Sequence, residues 1–147
     1  MIEIVKMTHV HVPQIAEIEK LCFFDPWSEK SIASELDSRI SLWLVAVDGD
    51  TVAGYVGSQS VLDMADMMNV AVHPEFRRRG IARDLVNALV DALKEKGIKS
   101  LTLEVRQSNE AAIALYEQLG FLQVGLRPNY YRNPKENALI LRKEWSV

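Results

Sequence analysis

The sequence predicts a single α/β domain of the α+β kind over residues 1–147, a mixed sheet of six or seven strands flanked by helices. Three observations carry this. Stretches with period-two or continuous apolar patterning alternate with stretches whose apolar residues recur every three or four positions. The element order reads β-α-α-β-β-β-α-β-α-β-β, in which short connections imply antiparallel neighbours and one strand–helix–strand passage implies a right-handed parallel crossover. The composition, 48% apolar and 25% charged, is that of an ordinary folded domain.

The elements follow in order. Ile2 and Ile4, with Lys6 beyond them, form a short first strand. Val12 to Cys22 is a helix, with Ile15, Ile18 and Leu21–Cys22 at helical spacing. Asp25-Pro26-Trp27 breaks it, and Ser28 is a suitable N-cap for a second helix reaching Leu36. Trp27 and Ile32 stand at the hydrophobic-staple positions around that cap. Leu42–Val47 and Val52–Gln59 are β-rich and flank the turn Asp48-Gly49-Asp50, a hairpin. Ala65–Val72 is a third antiparallel strand, ended by His73-Pro74. Gly80 opens a long helix with Ile81, Leu85, Leu89 and Leu93 at four-residue steps, and Gly97 is placed to end it. Leu101, Leu103 and Val105 alternate with Thr102, Glu104 and Arg106, a strand with one apolar face. Ser108 or Asn109 caps a short helix through Leu119, which Gly120 ends. Phe121–Leu126 and Ala138–Arg142 are the last two strands.

Charge and composition exclude several functions. Seventeen basic against twenty acidic side chains give a net charge of −3, a poor balance for gripping nucleic acid. Cys22 is the one cysteine, so no intramolecular disulfide forms and a reducing compartment suits the chain. The longest apolar runs, Leu42–Val47 and Ala111–Tyr116, fall far short of the roughly 18 residues a membrane span needs. Met1–Lys6 lacks a signal peptide's apolar stretch. The expectation is a soluble cytoplasmic protein with neither a nucleic-acid nor a membrane partner. His9, His11 and His73 show no metal-ligand spacing with the cysteine, so no metal is expected. Cys22 reads as a small core residue.

Chemistry concentrates in two segments. In Val70-Ala71-Val72-His73-Pro74-Glu75-Phe76-Arg77-Arg78-Arg79-Gly80-Ile81-Ala82, a strand ends, a basic loop follows and a glycine starts a helix. Helix N-termini present unpaired N–H groups and a positive dipole end, which suits an anion. Gly80 and the small Ala82 allow close backbone approach, and Arg77, Arg78, Arg79 and Arg83 can add charge-assisted contacts to phosphate. The plainer alternative is a solvated basic loop around a tight turn. Neither a Walker A loop nor a Gly-x-Gly-x-x-Gly fingerprint is present. In the second segment Glu104 lies on the polar face of its strand. Alone it would be an outward carboxylate, but a strand after a crossover helix is usually central and covered, which would make it a candidate base. Tyr116 belongs to the apolar stripe Ala112, Leu115, Tyr116 and Leu119, so it is either core or a buried ring whose hydroxyl serves as an acid. Asn109 is either an N-cap or a ligand contact.

Arg77-Arg78-Arg79-Gly80-Ile81-Ala82 matches Gln/Arg-x-x-Gly-x-Gly/Ala, and with the element order it resembles the GNAT superfamily of acetyl-CoA-dependent N-acetyltransferases over essentially the whole chain. Further segments are similar to the bacterial ribosomal-protein-alanine N-acetyltransferases. They are Pro26–Lys30, Leu103–Arg106 through Ser108-Asn109, Ala111–Glu117 with Leu119-Gly120-Phe121, and Asn129-Tyr130-Tyr131. The resemblance implies the GNAT fold, acetyl-CoA as donor and a protein N-terminus, the alanine of a small-subunit ribosomal protein, as acceptor. It implies Glu104 as base, Tyr116 as acid and Asn109 as a cofactor contact. It places pyrophosphate at the N–H groups of Arg78 to Arg83 and pantetheine along Val70, Ala71 and Val72. It also implies a bulge in the fourth strand, expected at Val72, whose N–H would face the thioester carbonyl. The acceptor peptide would enter over Trp27–Ile32, the loop after Ser60, and Tyr130 and Tyr131. Two alternatives stand beside this reading: an acetyltransferase of lysine or a small amine, and an acyl-CoA-binding module without turnover.

Overall fold

The computed structural model describes residues 1–145. Seven strands form one sheet: β1 (Ile2–Lys6), β2 (Ser41–Asp48), β3 (Thr51–Val61), β4 (Met64–Val72), β5 (Ser100–Arg106), β6 (Leu122–Tyr131) and β7 (Glu136–Glu144). Among the described residues four α-helices accompany them: α1 (Val12–Cys22), α2 (Glu29–Ser34), α3 (Ile81–Glu95) and α4 (Glu110–Gln118). The sheet order is β1-β2-β3-β4-β5-β7-β6. Among the described residues only β4 and β5 pair in parallel, as the crossover through α3 requires.

Local chemistry explains most element boundaries. Pro13 sits in the first turn of α1, where its missing N–H is harmless. Ser28 Oγ accepts the Ser31 N–H at 3.0 Å and caps α2. That helix ends at Ser34, and a 3-10 turn over Glu35–Asp37 completes the segment expected to stay helical to Leu36. Gly49, Gly97 and Gly120 all adopt positive φ at turns. β6 runs on to Tyr131 rather than stopping at Leu126. Pro128-Asn129 reads as a turn, but the register against β7 breaks between Arg127 and Tyr131 and absorbs these residues within the strand.

Two apolar clusters cover the two faces of the sheet. Ile81, Leu85, Val86, Leu89, Val90 and Leu93 of α3 bury one stripe against Leu101, Leu103 and Val105 of β5. Tyr116 and Phe121 belong to this cluster. On the opposite face, Ile15 and Ile18 of α1 and Ile32 of α2 pack on Trp43, Val45 and Tyr55. Each such aliphatic side chain contributes roughly 1.5–3 kcal/mol by leaving water.

The feature that positions the site is a parting of β4 and β5. They pair only from Met64↔Ser100 to Asp66↔Thr102, although β4 continues to Val72 and β5 to Arg106. The cause lies in β4. Gly57 of β3 faces Asn69 while its neighbour Ser58 faces Met67, so Met68 is an extra residue. Such a bulge bends its strand and leaves the ladder locally unpaired. The bulge is therefore at Met68 and not at Val72, which sits in regular register opposite Gly54. The run Met67-Met68-Asn69-Val70 has no period-two signal from which the extra residue could be located.

Candidate active site

Beyond Asp66 and Thr102 the two strands no longer pair, and the slot this opens between them is edged by unpaired backbone groups. His73 N–H donates to Ala53 O at 2.8 Å. Along an antiparallel strand this direction alternates, so the N–H groups of Asn69 and Ala71 also face β3, whereas those of Val70 and Val72 face the slot. Although Val72 is not the bulged residue, its amide has the orientation expected of it. Cys22, at the end of α1, is half-buried rather than core, with Sγ 3.8 Å from Val72 O and 3.5 Å from Arg77 Nη2.

At the end of β4 the loop Arg77–Gly80 leads into α3. Among the described residues, no backbone N–H from Arg78 to Arg83 donates to a protein carbonyl, and Asp84 N–H is the first to do so, to Gly80 O at 3.0 Å. Arg78 and Gly80 both lie in the left-handed region, at φ 66° and 75°. Alternation of this kind turns successive amides inward into a concavity that suits an anion, and Arg78 holds that conformation although it is not glycine. A Cβ on Gly80 would meet nothing within 4 Å, so the glycine answers backbone geometry and leaves open space at the helix end. Ile81 is buried, and only its amide is available to a ligand. Arg79 lies over the Phe76 ring at 5.1 Å, while Arg78 and Arg83 are exposed.

Glu104 and Tyr116 approach the slot from opposite faces of the sheet. Leu103 and Val105 point into the α3 cluster, so Glu104 emerges on the side of α1 and α2. It is half-buried, and Oε2 has no hydrogen-bond partner among the described residues. Arg127 Nε stands 3.3 Å from that oxygen, an ion pair outside hydrogen-bond geometry. Tyr116 is buried on the other face, with its ring edge-on to Phe121 at 5.6 Å. Its hydroxyl makes a long contact with Met67 Sδ at 4.0 Å, beside the bulge. Burial, and then the nearby Tyr131 hydroxyl, push the Tyr116 hydroxyl up to about 12. Core packing and a hydroxyl in the cleft therefore coexist in this residue.

Tyr130 and Tyr131 stand beside Glu104, their rings 5.1 Å apart. Burial and the Glu104 charge push Tyr131 up to about 12 and raise Tyr130 as well. Tyr131 is held from behind by the Arg106 guanidinium, 4.4 Å from its ring centre. Arg106 also donates to Arg132 O at 3.0 Å and Pro134 O at 2.9 Å and pairs with Glu136 at 3.3 Å, which fastens the β6–β7 turn to β5. Trp27 sits half-buried on the same face, edge-on to Trp43 at 5.5 Å. Asn109 Oδ1 accepts Ala112 N–H at 3.2 Å and caps α4, leaving its Nδ2 as the group that could meet a ligand.

Sequence reasoning missed Arg127, Arg106 and Glu136, which are ordinary charged residues on polar strand positions until pairing brings them to the site. It also missed Glu19, which is buried and accepts from Trp27 N–H at 2.9 Å, Asn69 Nδ2 at 2.6 Å and the Tyr55 hydroxyl. A signal existed: Glu19 falls one turn after Ile15, on the apolar face of α1. Burial pushes its carboxyl above the usual carboxylate range, opposed by the hydrogen bonds from Tyr55 and Trp27.

The acetyltransferase (GNAT) family model matches residues 12–121. The chain belongs to this family. The ribosomal protein bS18-alanine N-acetyltransferase of Escherichia coli (strain K12) is 41% identical over 132 residues, 88% of each chain. The enzyme of that name from Salmonella typhimurium is 43% identical over 133 residues, also 88% of each. The crystal structure of the ribosomal-protein-S18-alanine N-acetyltransferase from Escherichia coli superposes with a TM-score of 0.92 at 38% identity, covering 100% of this chain and 96% of that one. The chain is thus an N-acetyltransferase of the GNAT fold with acetyl-CoA as its donor. The observed groups fit that donor. A row of unspent amides at Arg78–Arg83 suits a pyrophosphate, and the unpaired strand edge at Val70 and Val72 suits an extended amide-bearing arm. No helix among the described residues is long and apolar enough to cross a membrane.

Proposed function

We propose that the chain acetylates the free α-amino group of the N-terminal alanine of ribosomal protein bS18, in a ternary complex with acetyl-CoA. The opposed placement of Glu104 and Tyr116 across one slot carries the proposal. It provides a proton acceptor beside Tyr130 and Tyr131 and a proton donor on the α3 face. The acceptor's identity rests on the near full-length likeness to enzymes named for it. A ribosomal acceptor also places the enzyme in the cytoplasm.

An α-amino group, with a pKa near ~8, is more readily neutral at pH 7 than a lysine near ~10.4. The Glu104 carboxylate, whose buried Oε2 makes no hydrogen bond and only the Arg127 ion pair, takes the amine proton directly or through water. The Val72 N–H, with Val70 beside it, faces the slot and can hold developing negative charge on a carbonyl oxygen. Tyr116 keeps its proton to about 12 and can present it at the Met67 side of the slot. The burial that raises this hydroxyl would raise a thiolate placed beside it in the same direction, which offsets the acidity the hydroxyl loses. Arg78–Arg83 and the Nδ2 of Asn109 would hold the bound donor, which supplies the acetyl group as a thioester.

The test is release of free thiol from acetyl-CoA with a panel of acceptors: peptides beginning Ala, Ser or Met, an N-blocked lysine peptide and a polyamine. Turnover confined to free N-terminal residues, fastest with alanine, is the expected result. Turnover on the blocked lysine peptide or polyamine would overturn the acceptor. Tight donor binding without turnover on any of them would favour a binding module.

A further inference from the structure

Glu19 is the one charged side chain fully buried among the described residues. An ionised carboxylate out of water is costly unless its oxygens are satisfied, and an apolar residue would fill the space at less expense. The identity of its donors suggests what the charge is for. Oε1 takes the backbone N–H of Trp27, in the acceptor-side turn between α1 and α2. Oε2 takes Asn69 Nδ2, on the residue directly after the Met68 bulge, and the Tyr55 hydroxyl from β3. One carboxylate thus joins the acceptor loop to the bulged edge of the donor slot. The other flank of the bulge is Met67, whose sulfur meets the Tyr116 hydroxyl. Asn69 thus adjoins the slot-facing Val70 in sequence and lies across the bulge from Met67.

Resting on the donor-slot assignment above, we infer that Glu19 is a positioning residue that couples the donor slot to the acceptor loop, acting through Asn69 on one side and the Trp27 N–H on the other. It touches no reacting atom. Filling the slot stiffens the bulge, and the carboxylate carries that order to Trp27, so the loop is set for the acceptor once the donor is in place.

Asn69→Ala tests this, because it cuts one arm and leaves Glu19 bonded to Trp27 and Tyr55. Amide hydrogen exchange is followed with and without saturating coenzyme A, which needs no acceptor. In the wild type, coenzyme A is expected to slow exchange at Val70–Val72 and, roughly threefold or more, across Trp27–Ile32. In Asn69→Ala the protection at Val70–Val72 persists while that at Trp27–Ile32 is lost. Glu19→Gln, if it folds, gives the same separation. A merely structural role would lower the melting temperature and leave the two protections linked. Equal protection of Trp27–Ile32 in wild type and Asn69→Ala overturns the coupling, as does slot protection alone in the wild type. Protection at neither segment overturns the slot assignment and the coupling with it.

Discussion

Replacing Tyr116 by Phe separates its two roles, because the structure gives each a different magnitude. The ring carries the packing: it is buried in the α3 cluster, edge-on to Phe121 at 5.6 Å, and the substitution leaves it in place. The hydroxyl contributes only the 4.0 Å contact to Met67 Sδ, so its loss should cost under about 1 kcal/mol, or less than roughly 4 °C in Tm. General acid catalysis contributes typically ~10²–10⁴ in rate, or about 2.7–5.5 kcal/mol of barrier. The variant should therefore lose roughly that factor in kcat while KM for acetyl-CoA stays within about twofold, read by thiol release and thermal melting. The alkaline limb of stability provides a second check. With the folded hydroxyl at about 12 and an unfolded tyrosine near ~10, both states are neutral below ~10 and the stability is fully present. Between ~10 and ~12 the unfolded chain releases its proton first, so stability falls as pH rises, by about 2.7 kcal/mol from this residue. The Phe variant should show a correspondingly shallower alkaline decline. A kcat within about threefold of wild type would refute the acid role, and a Tm drop of roughly 10 °C would refute the division between ring and hydroxyl.

Glu104→Gln should lower kcat by ~10²–10⁴ with acetyl-CoA affinity, measured by calorimetry, within about twofold. Its ion pair with Arg127 is exposed on the guanidinium side and half-buried on the carboxylate side, so the pair's loss should cost no more than about 1 kcal/mol, and wild-type turnover in this variant would remove Glu104 from the chemistry. Gly80→Ala places a Cβ on a residue at φ 75° with no neighbour within 4 Å, so strain alone acts on the free protein. About 1–2 kcal/mol and roughly 3–8 °C in Tm are expected from melting curves. A raised KM for acetyl-CoA should accompany the loss; unchanged KM would detach Gly80 from the donor site.

Much of the fold was legible from local physics. α1 spans Val12–Cys22 and α3 begins after Gly80 because apolar spacing, caps and breakers act over one or two turns of chain. The loop proposed to hold the donor's phosphates was legible for the same reason: a strand end, a glycine and a helix start adjoin in sequence. The opposite facing of Glu104 and the α3 cluster followed from strand alternation. What tertiary structure decided was everything set by pairing at a distance. The insertion of β7 between β5 and β6, the bulge at Met68 and the parting of β4 from β5 are properties of register, which no single segment encodes. Arg106, Arg127 and Glu136 gain their meaning only when β6 and β7 fold back beside β5. Glu19 is the clearest case. On α1 it is one polar residue on an apolar face, and only the packing of that helix over Tyr55 and Asn69 supplies the donors that let a carboxylate stay buried.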